Sequence, residues 1–205
     1  MKKILLTLTL ATASLFTFAQ SASFGVKGGV SFAKINASSS SANISVNTGS
    51  VTTFSAGLFA DLKFGNLSLQ PAAIYAGKGG NIDAGGGDEV TVNLYYLQVP
   101  VNLVYRVPAV IGSVYFGAGP YAAFGLSGKE KGTSGGTSVS QDVTFGDGAD
   151  DYKSTEFGVN GIAGVEFKNG FLLGLNYDLG LSNISNSSDA SVKNRVFGIS
   201  AGFKF

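Results

Sequence analysis

The sequence predicts an all-β protein, an eight-stranded antiparallel up-and-down transmembrane β-barrel, and three observations carry that prediction. Apolar residues alternate with small or polar ones through eight segments separated by Gly, Ser and Asn-rich stretches. Beyond the N-terminus no segment approaches the roughly eighteen consecutive apolar residues that a spanning helix needs, although hydrophobic residues make up 44% of the chain. Charged residues are only 13%, about half the usual share for a soluble domain, too few to coat a water-facing surface.

The first element is an export signal. Lys2 and Lys3 precede an apolar stretch that ends in Thr17-Phe18-Ala19, with small residues where a signal peptidase needs them. A retained helix is the alternative, but the stretch is short for a span and carries four Thr and a Ser. Residues 1–19 are therefore read as a cleaved signal and residues 20–205 as one outer-membrane barrel domain.

Alternate residues then give the outward face of each strand in order. The first strand presents Phe24, Val26, Gly28, Val30 and Phe32; the second presents Phe54, Ala56, Leu58, Ala60, Leu62 and Phe64. Leu67, Leu69, Pro71, Ala73 and Tyr75 follow, then Tyr95, Leu97, Val99, Val101, Leu103 and Tyr105. The fifth set is Val114, Phe116, Ala118, Pro120, Ala122 and Phe124, and the sixth is Phe157, Val159, Gly161, Ala163, Val165 and Phe167. Phe171, Leu173, Leu175, Tyr177, Leu179 and Leu181 form the seventh; Phe197, Ile199, Ala201, Phe203 and Phe205 form the eighth, which ends the chain.

Three sets carry aromatics ten residues apart: Phe54 and Phe64, Tyr95 and Tyr105, Phe157 and Phe167. At about 3.3 Å per residue and a tilt near 40°, ten steps rise about 25 Å, the height of the apolar band on such barrels. Rings at that spacing sit at both membrane interfaces, where an apolar body and a polar edge are both accommodated.

Connections alternate in length. Tight turns are expected at Gly65-Asn66, around Pro108 and at Lys168-Asn169-Gly170, on the periplasmic side. Long mobile loops are expected on the other side over residues 36–50, 77–89, 128–154 and 183–194. An even strand number lets the first strand close on the last, so no edge is left unpaired in hydrocarbon. Pro71, Pro100 and Pro120 fall inside strands and are expected to sit at bulges.

A soluble ligand-binding barrel alternates too, with its apolar residues inside, so the composition of the opposite face decides the orientation. That face is rich in Gly, Ala, Ser and Asn with few charges: Lys27, Asp61, Lys63, Lys78, Arg106, Glu156, Glu166, Asp178 and Lys204. Small residues suit a cramped eight-stranded lumen, whereas a watery exterior needs many more charges. The nine charges read as a paired structural network, with conduction or proton relay as the sharper alternative.

The chain has no His and no Cys, which excludes a Ser-His-acid triad and thiolate chemistry. Glu156, Glu166 and Asp178 leave paired-carboxylate chemistry open in principle, but nothing in their spacing fixes two at a substrate-sized separation. Gly117, Gly119 and Ala122 mimic a dinucleotide fingerprint; Pro120 and continued alternation through Phe124 contradict it. Asp147, Asp150 and Asp151 could hold Ca²⁺, but their spacing departs from known calcium loops. No catalytic, cofactor or metal residue is therefore assigned, and no cofactor is expected. Net charge falls from +1 to about −1 once Lys2 and Lys3 are removed, which argues against nucleic acid as a partner.

The segment Tyr95–Arg106, YYLQVPVNLVYR, resembles the PorT-like outer-membrane β-barrel family of Bacteroidetes through Tyr96, Leu97, Pro100 and Tyr105. FGVKGGVSFA, GAGPYAAFGL, FGVNGIAGVEFKNG, YDLGLSNI and NRVFGISAGFKF continue the likeness in order over most of the chain. Gln98 stands where many relatives carry an acid. The resemblance implies an eight-stranded barrel in a Gram-negative outer membrane, with lipid around it; it does not imply an enzyme, no catalytic residues carry over, and none is expected. The function expected is an envelope scaffold or surface interaction through extracellular loops. An accessory part of a secretion or assembly machine, with a protein partner at the periplasmic turns, and a narrow channel are the alternatives.

Overall fold

The computed structural model describes residues 21–39, 44–85, 88–146, 148, 151–186 and 190–205, so residues 1–19, expected to be an export signal, lie outside the described residues. The described residues form ten strands and no helix: β1 (Ser21–Ser39), β2 (Ile44–Asn47), β3 (Val51–Phe64), β4 (Leu67–Gly85), β5 (Asp88–Ala109), β6 (Gly112–Ser134), β7 (Thr137–Asp142), β8 (Thr155–Phe167), β9 (Phe171–Gly180) and β10 (Ala190–Lys204). Eight of them close a ring of sequential antiparallel neighbours, while β2 extends the pairing of β1 and β7 that of β6. The closing seam runs from Gly25↔Lys204 to Ser39↔Ala190, and Phe24 and Phe205 exchange backbone hydrogen bonds at its end. No strand edge of the ring faces lipid, which is the condition for spanning with strands.

Outward parity follows the predicted sets: Phe24, Leu58, Phe116, Phe157, Leu173 and Ile199 are exposed, and their inward neighbours are buried or half-buried. Leu62 keeps the outward parity but is buried. Rings gather at two heights. Phe54, Tyr75 and Tyr95 pack together with centroids 5.4–6.0 Å apart, while Tyr105–Phe116 and Phe167–Phe171 pair at 5.5 and 6.0 Å near the short turns.

The short turns follow from local chemistry. Gly65, with φ 65°, occupies the left-handed region in the two-residue turn before Leu67, and Gly170, with φ 88°, closes the turn before Phe171. The third turn is at Val110-Ile111, two residues beyond the expected position. Pro108 still pairs with Ser113, because its fixed φ and missing N–H are tolerated where a strand runs out.

The segments expected to be mobile loops are mostly strand. β4 reaches Gly85, β5 begins at Asp88, and β6 continues to Ser134 before a Gly135-Gly136 turn into β7. The 22 residues of β5 rise about 55 Å at the same pitch and tilt, roughly twice the lipid band. The reason is a reversal of hydrophobic phase. On β5, odd residues from Tyr95 to Tyr105 face out; from Tyr96 upward the even residues Tyr96, Leu94 and Val92 are the apolar ones, and they are buried. On β1 the exposed Phe32 gives way to buried Ala33 and Ile35, and on β10 exposed Phe197 gives way to buried Val196. Outside the bilayer the barrel wall meets water, so apolar side chains turn inward as in a soluble barrel. A bulge at Tyr95/Tyr96 marks the boundary on the β5–β6 seam.

The three prolines are not at bulges. Pairing lapses beside each, between Phe59↔Ala72 and Leu62↔Leu69, between Pro71↔Val101 and Ile74↔Gln98, and between Pro100↔Tyr121 and Leu103↔Ala118. The register resumes unchanged after every gap. In an antiparallel ladder a residue's N–H serves one neighbouring strand only, so each proline weakens one seam and leaves the other intact.

Large side chains also cross the lumen, where the sequence suggests a mainly small lining: Phe59, Val104, Tyr115, Ile162 and Leu172 point inward. Glycines make the room. A Cβ on Gly25 would lie 2.3 Å from Phe59, on Gly158 2.5 Å from Tyr121, and on Gly174 2.4 Å from the Tyr115 hydroxyl. Gly174→Ala is expected to cost about 1–3 kcal/mol by overpacking. Tyr115→Phe in the same chain removes the one clashing atom, and a double-mutant cycle of urea unfolding should show most of that loss restored.

Candidate functional site

All nine predicted inward charges lie in the lumen, and the strands sort them by height. Nearest the periplasmic end, Arg106 on β5 donates from Nη2 to Asp61 Oδ2 on β3 and from Nε to Glu166 Oε2 on β8, both at 2.9 Å, and from Nη1 to Ser68 Oγ. Lys204 on β10 reaches Asp61 at 3.4 Å and also pairs with Glu166, while the more exposed Lys63 lies 3.9 Å from Glu166. Arg106 is suited to this place because its planar fork bridges two carboxylates on different strands.

At mid-height, Asp178 on β9 accepts from Gln98 at 3.2 Å and from Asn160, which in turn accepts from Asn102 at 2.7 Å. The amide of Gln98 thus serves the carboxylate on the facing strand, a role an acid at this position would not fill. Lys27, Gln98, Asn160 and Asp178 border a cavity of about 50 Å³, room for a few water molecules.

The upper level is sealed. Lys78 on β4 donates to Glu156 Oε1 on β8 at 3.0 Å, Tyr121 donates to the same oxygen at 2.6 Å, and Asn194 donates to Oε2 at 2.8 Å. Lys78 Nζ also lies 4.4 Å from the Tyr121 ring centroid and 5.3 Å from that of Tyr96. Lys78 and Glu156 have no solvent exposure. Around and above them Ile35, Val92, Leu94, Tyr96, Tyr121, Ala123 and Ile184 form an apolar cap.

The extracellular segments complete that cap. Phe145 packs edge-on against Tyr96, with centroids 5.5 Å apart, and Tyr152 packs against the same cluster. Burial, reinforced by the nearby Glu130 carboxylate, pushes the Tyr152 hydroxyl pKa up. Asn186 ties the segment together by donating to the carbonyls of Gly146, Gly148 and Asp151.

The three lumenal carboxylates considered for chemistry therefore sit in three separate clusters, Glu156 and Glu166 each paired with a cation and Asp178 held by the amides of Gln98 and Asn160. Gly117, Gly119 and Ala122 lie inside β6, away from any helix among the described residues. Asp147 and Asp150 lie outside the described residues, and Asp151 accepts a hydrogen bond from Gly148.

An outer-membrane β-barrel domain model matches residues 18–186, most of the chain. This protein belongs to the outer membrane protein beta-barrel domain family. Its terminal strand β10 lies beyond the matched residues and still closes the ring. No curated protein matches the sequence. Among solved structures, the barrel is similar to the outer membrane protein OprG from Pseudomonas aeruginosa, at 14% identity and TM-score 0.52, covering 90% of this chain and 96% of that one. It is also similar to Neisserial surface protein A, at 19% identity and TM-score 0.49, over 91% of this chain and 100% of that one. For Ail, the attachment invasion locus protein of Yersinia pestis, the values are 15% and 0.46, again over 91% and 100%. The family and the fold place this barrel as an integral protein of the outer membrane.

The sequence pattern located the charges of this outer-membrane barrel but missed their neutral partners Ser68, Gln98, Asn102, Asn160, Tyr121 and Asn194. Each shares inward parity with a charge on its own strand or on a neighbour, which is the signal that could have found them. The apolar cap was missed because its alternation runs in the opposite phase.

Proposed function

We propose that this barrel is a closed, non-enzymatic envelope protein that acts through the surface it raises above the outer membrane, as a scaffold or a binding face. One observation carries the reading: the strands continue as ribbon far past the aromatic band while the lumen beneath is blocked by a fully buried ion pair and an apolar cap. Such a plug favours a surface role over a narrow channel. Reconstituted in planar bilayers, the barrel is expected to show no reproducible conductance steps; steps that change on neutralising Arg106 or Glu166 would overturn the closed lumen.

The periplasmic face is small by comparison, since its turns span two or three residues, which favours a partner at the extracellular ribbons over membership in a periplasmic assembly machine. A photo-crosslinker placed at the exposed Val139 on β7 should capture partners on intact cells, and one at the exposed Val110 should not. The reverse result would favour the assembly-machine reading. We also place the barrel with the PorT-like branch, on the strength of Tyr95–Arg106, and read residues 1–19 as its export signal.

A further inference from the structure

We propose that the outer wall at the β1–β10 seam holds the phosphate groups of an outer-leaflet lipid, through Lys34, Arg195 and Lys193. The register stacks these residues directly above an aromatic pair: Phe32↔Phe197, then Lys34↔Arg195, then Asn36↔Lys193, every second position along each strand and so all on one face. That face is the outer one, because Phe32 and Phe197 are exposed while the intervening Ala33, Ile35, Asn194 and Val196 are buried. One two-residue step above the rings is about 5 Å higher, the depth of the lipid headgroups.

Three features make this an anion site rather than a solvated charge run. Lys34 stands directly opposite Arg195, and like charges across a strand pair repel unless an anion lies between them. Among the described residues none of the three cations forms an ion pair or hydrogen bond with a protein group, although every cation low in the lumen has an acidic partner. The Nε of Arg195 is buried and has no partner, an unsatisfied donor that a small shift of the guanidinium toward an anion on the seam would relieve. An Arg fork beside two flexible Lys matches a phosphate, and the aromatic pair below provides a resting surface for the lipid's apolar part.

The proposal needs only the membrane placement of the barrel, so it stands apart from the surface-interaction reading. The test uses the refolded full barrel in phosphatidylcholine vesicles containing bisphosphorylated lipid A, its dephosphorylated counterpart, or neither. Binding of a fluorescent lipid A analogue is measured, with a soluble sulfated oligosaccharide as competitor. Wild type is expected to favour the phosphorylated form, and K34Q/K193Q/R195Q should weaken binding by about fivefold per cation removed, roughly a hundredfold in all. K129Q/K131Q, on exposed residues of β6 well away from this seam, should leave binding unchanged. The heat-shift of each variant on a gel verifies that it has folded. Equal binding of the dephosphorylated lipid, an unaffected triple variant, or loss of lipid binding to the soluble competitor at equimolar amounts would each overturn the proposal. If the triple variant fails to fold, R195Q alone, which keeps two surface charges, provides the same comparison with an expected fivefold loss.

Discussion

Replacing Lys78 by Met is expected to destabilise the barrel by about 3–5 kcal/mol, the largest effect of any single lumenal substitution. Lys78 is the only cation bonded to Glu156 among the described residues, and neither side chain reaches water. Met fills most of the volume of Lys but leaves a carboxylate in a closed apolar space with only Tyr121 and Asn194 to hydrogen-bond it. The uncompensated charge, not the lost packing, sets the size of the effect. K78M/E156Q should recover most of it. The amide that E156Q introduces still accepts from Tyr121 through its oxygen, and Asn194, whose Oδ1 has no protein partner, can turn to accept from its N–H. Urea titration of the barrel in lipid vesicles, read by the mobility of unboiled samples on a gel, measures both. A Lys78→Met variant within about 0.5 kcal/mol of wild type would show that the ion pair is not sealed from water.

Val101→Arg is expected to cost about 2–4 kcal/mol, because its side chain faces hydrocarbon near mid-band, between the interfacial rings of Tyr95 and Tyr105. The same change at Val107, also outward but at the periplasmic rim, should cost about 0–1 kcal/mol, since there the guanidinium reaches the headgroups. The depth dependence separates lipid exposure from a general intolerance of Arg. The site has little ladder support, since pairing on the β4–β5 seam lapses just after Pro71↔Val101 and on the β5–β6 seam just after Pro100↔Tyr121. Equal losses at Val101 and Val107 would mean that strand disruption, not hydrocarbon, is being measured.

The outward sets were legible because a strand has a period of two and lipid leaves no ambiguity about what it accepts. Phe24 to Phe32 or Tyr95 to Tyr105 can be read without any partner strand. The same reading stopped at Tyr95 because it followed one phase. The run Val90, Val92, Leu94, Tyr96 was present in the chain, but assigning it inward requires knowing where the bilayer ends. The proline positions went wrong for a related reason: whether Pro71 or Pro100 shifts the register depends on the seams on both sides, and a closed ring holds the register where an isolated strand would slip. Among lumenal residues, the charges were easy to place by parity, but their pairing was not. Arg106 could have met any inward acid, and only the stagger of β3, β5, β8 and β10 brings Asp61, Glu166 and Lys204 together around it.

By itself the sequence determined that this protein crosses a membrane as strands and which residues face lipid, because alternation and the scarcity of charge are local properties of the chain. The tertiary structure decided that the barrel is closed, how its charges divide into separate hydrogen-bonded clusters, and how far the wall stands above the membrane. Those outcomes depend on the relative stagger of strands far apart in the chain, and on the height at which the medium outside the wall changes from hydrocarbon to water.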